Sequence, residues 1–116
     1  MIDQLSRIAV LNDRVRQGLD PRARIVITAA CAAALADGDD RHETVRSYGD
    51  LLMAIDRCDF APDERVERRR GEVTFRGRQI RFAIDYYDLS IEWGSENPAD
   101  PEVTTRVMTI MLPEDD

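Results

Sequence analysis

The apolar pattern around the tyrosine pair Tyr86-Tyr87 is the feature that most limits how this chain can fold. Apolar side chains occupy even positions from Ile80 to Tyr86 and odd positions from Tyr87 to Trp93. Side chains alternate between the two faces of a strand with a period of two, so one regular strand with a single buried face cannot carry both halves. The pattern therefore predicts a bulge or a turn at Tyr86-Tyr87-Asp88, followed by another strand.

The segment before the tyrosine pair predicts a β-hairpin. Residues 72–75 and 79–85 both alternate, and the sequence between them, Arg76-Gly77-Arg78, is short and contains a glycine that can adopt positive φ. With the strand expected over 87–93, this gives an antiparallel sheet of about three strands.

The first half of the chain predicts two helices and a short strand. Residues 2–17 carry apolar side chains at three- and four-residue steps, with Leu11 or Asn12 on the stripe, and Gly18 is a suitable stop. The β-branched run within 23–28 predicts a strand, whereas the alanine-rich 29–36 is left open. A turn over 37–40, a second helix over about 41–57 and a charged loop over 59–70 follow.

The end of the chain allows two interpretations. Asp100-Pro101-Glu102 is a good helix start, because an aspartate cap precedes a proline and an acid. We therefore expect a C-terminal helix over 103–112, with a strand as the alternative because Thr104, Thr105 and Val107 are β-branched. The whole indicates a single α+β domain over residues 1–116.

Charge is distributed unevenly along the chain. All sixteen basic residues are arginine, and residues 82–116 hold only Arg106 against nine acids, which accounts for the net charge of −7. Such a segment repels phosphates and favours a basic protein partner over direct nucleic-acid binding. The predicted partner-binding residues are the acids spaced along this segment: Asp85, Asp88, Glu92, Glu96, Asp100 and Glu102.

Six of the remaining arginines form the one basic cluster, in the stretch ERRRGEVTFRGRQIRF. Glutamates are interleaved with the arginines, so a solvated, salt-bridged face is expected rather than a nucleic-acid interface.

Several kinds of chemistry are excluded or lack support. The two cysteines, Cys31 and Cys58, and the single histidine, His42, are too few and too scattered for a zinc site, and the acidic turn fails the calcium-loop pattern. Cys31 is expected in the core and His42 on the surface. No phosphate-binding loop, cofactor motif, signal peptide or membrane-spanning run is present, so the chain is expected to be a cytoplasmic protein without cofactor or metal.

The segment FAIDYYDLSIEWGSENPADPEVTTRVMTIML resembles a bacterial domain-of-unknown-function family, number 3768, of small alphaproteobacterial proteins. The likeness rests on Ile84–Asp88, Gly94-Ser95, 98–101 and Thr105–Leu112, and extends to LNDRVRQ near the start. It implies a small cytoplasmic protein often carried on mobile elements, and it supplies no catalytic residues.

These observations favour a non-enzymatic, acidic protein-binding module. Its specific form would be an inhibitor of the anti-restriction or anti-CRISPR type, whose carboxylates replace phosphates in the groove of a nucleic-acid-binding protein. One alternative is a small enzyme or ligand-binding protein with a pocket formed by Tyr86, Tyr87 and Trp93, in which Asp85 or Asp88 acts as a base. Another is a dimerisation module built on the hydrophobic last element; the oligomeric state is left open.

Overall fold

The computed structural model of the chain describes residues 3–36 and 41–116, without the side chains of 41–45. Its elements in chain order are α1 (Gln4–Arg16), β1 (Arg24–Ile27), α2 (Ala29–Leu35), α3 (Arg41–Asp56), β2 (Arg70–Phe75), β3 (Arg78–Tyr87) and β4 (Thr105–Met111), with 3-10 turns at Pro62–Glu64 and Pro113–Asp115. The predicted turn at 37–40 and the surface position of His42 lie outside the described residues.

The predictions for the first half of the chain are confirmed. Helix α1 begins after Asp3, whose carboxylate accepts the Ser6 N–H at 2.7 Å, and it is followed by Gly18 with φ +74°. Strand β1 and helix α3 lie where the sequence places them. The alanine-rich run, left open by the sequence, is helix α2, capped by the Thr28 hydroxyl, which accepts the Cys31 N–H.

The predicted hairpin is also confirmed. Strands β2 and β3 are antiparallel and are joined by Arg76 and Gly77, both with positive φ, at 51° and 80°. Two consecutive residues of positive φ define the two-residue hairpin turn whose twist matches that of the strands.

The corner at the tyrosine pair is confirmed, but the strand expected over 87–93 is wrong. Strand β3 ends at Tyr87, and the chain then closes a tight loop in which the Asp88 N–H donates to the Trp93 carbonyl at 2.8 Å. Ile91 has φ +60°, which no strand residue adopts. Of the alternating apolar residues of this loop, Leu89 and Trp93 are therefore exposed and Ile91 is only half-buried.

The C-terminal helix is also wrong, because this segment forms strand β4. The Asp100 carboxylate does accept the Glu102 N–H at 2.9 Å, as a helix cap would, but the bond closes only a turn. The β-branched residues that follow pair with strands on both sides, which outweighs the capping signal.

The four strands form one mixed sheet in the order β1-β4-β3-β2, with β1 and β4 parallel and the other pairs antiparallel. The α+β class is confirmed, with four strands and one parallel pair in place of about three antiparallel strands. All three helices pack on one face of the sheet; the core there is formed by Val15, Cys31, Leu35, Leu51, Ile55, Phe60, Ile80, Phe82, Ile84, Met108, Ile110 and Leu112. Cys31 is fully buried, as predicted.

Gly71 in β2 offers a test of this packing. A Cβ atom at Gly71 would lie 2.6 Å from the Phe82 ring and 2.8 Å from the Cys58 sulfur, whereas a Cβ atom at the exposed Gly49 of α3 meets nothing within 4 Å. We expect Gly71→Ala to lower the free energy of unfolding by about 1–3 kcal/mol. The matched Gly49→Ala variant should raise it by about 0.5–1 kcal/mol. Urea unfolding measures the free energy of unfolding of both variants. Equal changes in the two would contradict the close approach of the Phe82 ring to Gly71.

Candidate functional site

The segment between β3 and β4, residues 88–104, is called the acidic loop. It carries five acidic residues, Asp88, Glu92, Glu96, Asp100 and Glu102, and no basic residue. It begins at the corner after Tyr87 and returns the chain to the centre of the sheet at β4. Its backbone is therefore held at both ends by neighbouring strands.

Side chains within the acidic loop fix its conformation. At its start, one Asp88 carboxylate oxygen accepts the Ser90 hydroxyl at 3.0 Å and the Glu92 N–H at 3.1 Å. Partial loss of hydration alone would raise the pKa of the Asp88 carboxyl. The hydrogen bonds to the carboxylate outweigh this effect, so the pKa is lowered. Near its end, the Thr104 hydroxyl contacts the Ser95 hydroxyl at 2.7 Å and donates to the Asn97 carbonyl.

A depression of about 500 Å³ lies on the outer side of the acidic loop. Asp88, Glu96 and Asp100 line it together with the indole of Trp93 and the side chain of Val103. Trp93 is 73% exposed, the highest value among the large hydrophobic side chains that the structure describes. The structure thus brings three of the predicted partner-binding acids to the same place as one of the three predicted pocket residues.

The six predicted acids differ in how free their carboxylates are. Four have partners within the chain: Asp85 forms an ion pair with Arg69 at 2.9 Å, Asp88 and Asp100 accept hydrogen bonds in the loop, and Glu102 lies 3.9 Å from the Arg22 guanidinium. Glu92 and Glu96 have no side-chain hydrogen bond or ion pair with any residue that the structure describes. These two carboxylates are the ones available to a partner.

Beneath the acidic loop lies a buried polar network that sequence reasoning missed. The Tyr86 hydroxyl donates to the Glu67 carboxylate at 2.6 Å and accepts from the Asn12 amide at 2.8 Å. The Asn12 carbonyl oxygen in turn accepts from Arg106 Nε at 2.9 Å. Arg106 is 2% exposed, so its charge lies inside the protein.

This network connects the acidic loop to the helical layer. Another nitrogen of the Arg106 guanidinium donates to the Pro98 carbonyl at 2.6 Å, so one side chain holds the loop, α1 and β3 together. Two sequence signals pointed to it: Arg106 is the single arginine of residues 82–116, and Asn12 falls on the apolar stripe of α1. Neither signal specifies that the two side chains meet.

The structure does not assemble the predicted tyrosine pocket. Strand alternation places Tyr86 on the helix-covered face, whereas Asp85 and Tyr87 lie on the opposite face. Burial, together with the hydrogen bond to Glu67, raises the pKa of Tyr86. Guanidinium groups of Arg69 and Arg106 lie 5.3 Å and 5.0 Å from its ring centre. Tyr86 is therefore a fixed hydrogen-bonding group of the core.

The thiols are likewise poor nucleophiles. Burial raises the pKa of both Cys31 and Cys58, whereas an activated cysteine has a lowered pKa. Among the described residues, no group of three or more His, Cys, Asp or Glu side chains is placed to hold a metal ion. None of the helices in the same part of the chain is long and apolar enough to cross a membrane.

The basic cluster is a salt-bridged face, as predicted. Arg68 pairs with Asp13, Arg69 with Asp85, and Arg81 with both Glu72 and Asp116, at 2.7 to 3.3 Å. The Arg81 pairs with Glu72 and Asp116 border a cleft of about 580 Å³ beside Phe60 and Phe82. Because each of these guanidinium groups already faces a carboxylate, the cluster offers little unbalanced positive charge to a nucleic acid.

The adjacent tyrosines allow a matched test of the network. Tyr86→Phe removes a hydroxyl bonded to the buried Asn12 and the half-buried Glu67, and we expect it to lower the free energy of unfolding by about 1–3 kcal/mol. Tyr87→Phe removes a hydroxyl that bonds to none of the described residues and should change it by less than about 0.5 kcal/mol. Urea unfolding measures both, and equal losses would show that the network contributes nothing specific.

The raised pKa of Tyr86 predicts how stability depends on pH. In the unfolded chain the tyrosine ionises near its ordinary pKa of 10.0, whereas the folded protein retains the proton to higher pH. The contribution is therefore full below pH 10 and is lost as pH rises above it, by up to about 1.4 kcal/mol per pH unit. Urea unfolding between pH 9 and 11 should show this slope in the original chain and a smaller one in Tyr86→Phe; identical slopes would contradict the assignment.

Comparison with known proteins places the chain in a family. Residues 30–115 match the family model described as "Protein of unknown function (DUF3768)". The match covers the segment from the tyrosine corner through β4 on which the resemblance rests, but it begins after LNDRVRQ. No curated protein and no solved structure gave a significant match. The chain belongs to the DUF3768 family.

Proposed function

We propose that the chain is a non-enzymatic binding module whose acidic loop engages a basic surface of a partner protein. The observation that carries this proposal is the position of Trp93, a large aromatic side chain left 73% exposed beside a depression lined by three carboxylates. Tryptophan and arginine dominate the binding energy of many protein interfaces. An exposed tryptophan surrounded by negative charge is suited to receive an arginine or lysine side chain.

Two interactions would contribute at this surface. A cation over the face of the Trp93 indole is stabilised by about 0.5–2 kcal/mol, depending on how far it is desolvated. Carboxylates around the depression attract the same cation, and their long-range field speeds association at low salt. Because the loop is fixed by its own hydrogen bonds, little conformational entropy is lost when the partner binds.

A narrower version of the proposal concerns the identity of the partner. A groove that binds nucleic acid presents arginine and lysine side chains to phosphates, and Glu92 and Glu96 are carboxylates free to replace phosphates there. The chain would then act as an inhibitor of a nucleic-acid-binding protein, as anti-restriction and anti-CRISPR proteins encoded by mobile elements do. The charge of the acidic loop supports this version, although only two of the six predicted carboxylates are unengaged.

The two alternative functions have less support. An enzyme would need a tyrosine hydroxyl and an aspartate in one pocket. Asp85 lies on the opposite face of the sheet from Tyr86, and although it shares a face with Tyr87 it is held in an ion pair with Arg69. Dimerisation through the last element would need a free strand, but β4 is paired on both sides.

Capture of partners from the native host, with wild-type and variant chains compared at low and high salt, tests the proposal. Trp93→Ala should weaken binding of the retained partner by about thirtyfold, which corresponds to about 2 kcal/mol. Glu92→Arg/Glu96→Arg should abolish retention at low salt, since it reverses the two free charges. Asp88 is left unchanged, because its carboxylate holds the loop.

The matched control is Asp56→Arg/Glu114→Arg, which makes the same change in net charge at two exposed acids outside the acidic loop. This control should retain the partner. Equal loss of the partner in both double variants would show that net charge alone governs binding. Unchanged capture by Trp93→Ala would show that the acidic loop is not the binding surface. For the narrower version, the chain should displace DNA or RNA from the captured partner; a partner that binds both at once would contradict it.

A further inference from the structure

Among the described residues, no carboxylate bonds directly to the buried Arg106 guanidinium, and Asp20 and Glu67 act on its charge only from a greater distance. The guanidinium donates to the Asn12 side chain and the Pro98 carbonyl, both uncharged, and it lies 5.0 Å from the Tyr86 ring centre. Within the part of the chain that the structure describes, no carboxylate oxygen lies within 4.0 Å of its guanidinium nitrogens. A buried ion that lacks a directly bonded counter-charge is unfavourable even when its hydrogen bonds are made. Burial accordingly lowers the pKa of Arg106.

Arg106 lines a cavity of about 310 Å³ between α1 and the end of the acidic loop. Arg14 and Arg22 line the same cavity, as do two carboxylates, Asp20 and Glu102. Asp20 accepts the backbone N–H of Arg22 at 3.0 Å, and Glu102 lies 3.9 Å from the Arg22 side chain. Three guanidinium groups against two carboxylates leave one positive charge unbalanced.

The remaining walls of the cavity are mainly apolar and are formed by Leu11, Pro21, Pro101 and Thr104. The Thr104 hydroxyl is already bonded to Ser95 and to the Asn97 carbonyl. A ligand that fits these walls has a single negative charge at the Arg106 end and a short aliphatic part. Guanidinium groups match the geometry of a carboxylate, to which they can donate two parallel hydrogen bonds.

We propose that this cavity binds a small organic carboxylate, whose charge compensates that of Arg106. The site is separate from the Trp93 depression, so it stands or fails independently of the proposed partner binding. Binding to the folded state alone would also stabilise the protein, because the ligand would place a counter-charge in direct contact with Arg106.

The test is a titration with butyrate, followed by NMR through the arginine Nε–Hε signals. Sodium chloride keeps the ionic strength constant, and acetate serves as a second probe without the aliphatic part. We expect the Arg106 signal to shift saturably with butyrate and to require more acetate for the same shift. Arg22→Gln, at an exposed side chain, should weaken butyrate binding about tenfold while leaving the urea midpoint nearly unchanged. Arg57→Gln, an exposed arginine outside the cavity, is the matched control and should bind as the original chain does.

Three outcomes would overturn the proposal. A shift no larger than that caused by chloride alone would show that no oxyanion site exists. Equal weakening in Arg22→Gln and Arg57→Gln would show non-specific attraction by positive charge. Saturation by inorganic phosphate at a lower concentration than butyrate would show that the site prefers phosphate, and the assignment to a carboxylate would be wrong.

Discussion

The buried guanidinium of Arg106 is the interaction on which the arrangement of this protein depends. It lies on the central strand β4 and bonds at once to Asn12 of α1 and to the Pro98 carbonyl of the acidic loop, while it stacks on Tyr86 of β3. Arg106 is 2% exposed, and two of its guanidinium nitrogens are bonded to acceptors on α1 and the acidic loop. Each buried donor left without a partner would cost about 1–3 kcal/mol. The contacts of this one side chain therefore fix the helix, the sheet and the loop relative to one another.

This constraint explains why the acidic loop can keep a tryptophan in solvent. A flexible loop would bring Trp93 onto the nearest apolar surface, since burial of an aromatic side chain is favourable. Here the loop is held at Asp88, at the Ser95–Thr104 contact and at Pro98, so the indole stays outside. The same contacts leave Glu92 and Glu96 without side-chain partners among the residues that the structure describes. These contacts, which are buried or internal to the loop, therefore hold the Trp93 ring and the two carboxylates in fixed positions at the surface.

Local sequence patterns predicted the elements whose determinants are local. The caps of α1, the hairpin turn at Arg76-Gly77 and the corner at Tyr86-Tyr87 each depend on a few neighbouring residues. Two predictions were wrong, the strand over 87–93 and the helix over 103–112. In both cases the local pattern is present but belongs to a different kind of structure. Leu89 and Trp93 alternate as strand residues do but belong to a loop, and Asp100 caps a turn that leads into a strand stabilised by pairing with distant segments.

The candidate site could be predicted only in part for the same reason. Composition located the acids and singled out Trp93, but which carboxylates are free depends on contacts such as that of Asp85 with Arg69, which are distant in sequence. The pairing of Asn12 with Arg106 spans almost the whole chain, and no spacing rule links the two residues. Long-range polar contacts of this kind are specified by the completed fold.

The most direct test of the proposed function uses Trp93 itself, since it is the only tryptophan in the chain. Its fluorescence reports on the acidic loop and on nothing else in this protein. Titration of the captured partner, made free of tryptophan where its sequence allows, should shift the emission to shorter wavelength in step with complex formation measured by calorimetry. Complex formation without any change in Trp93 emission would contradict the assignment of the acidic loop as the binding surface.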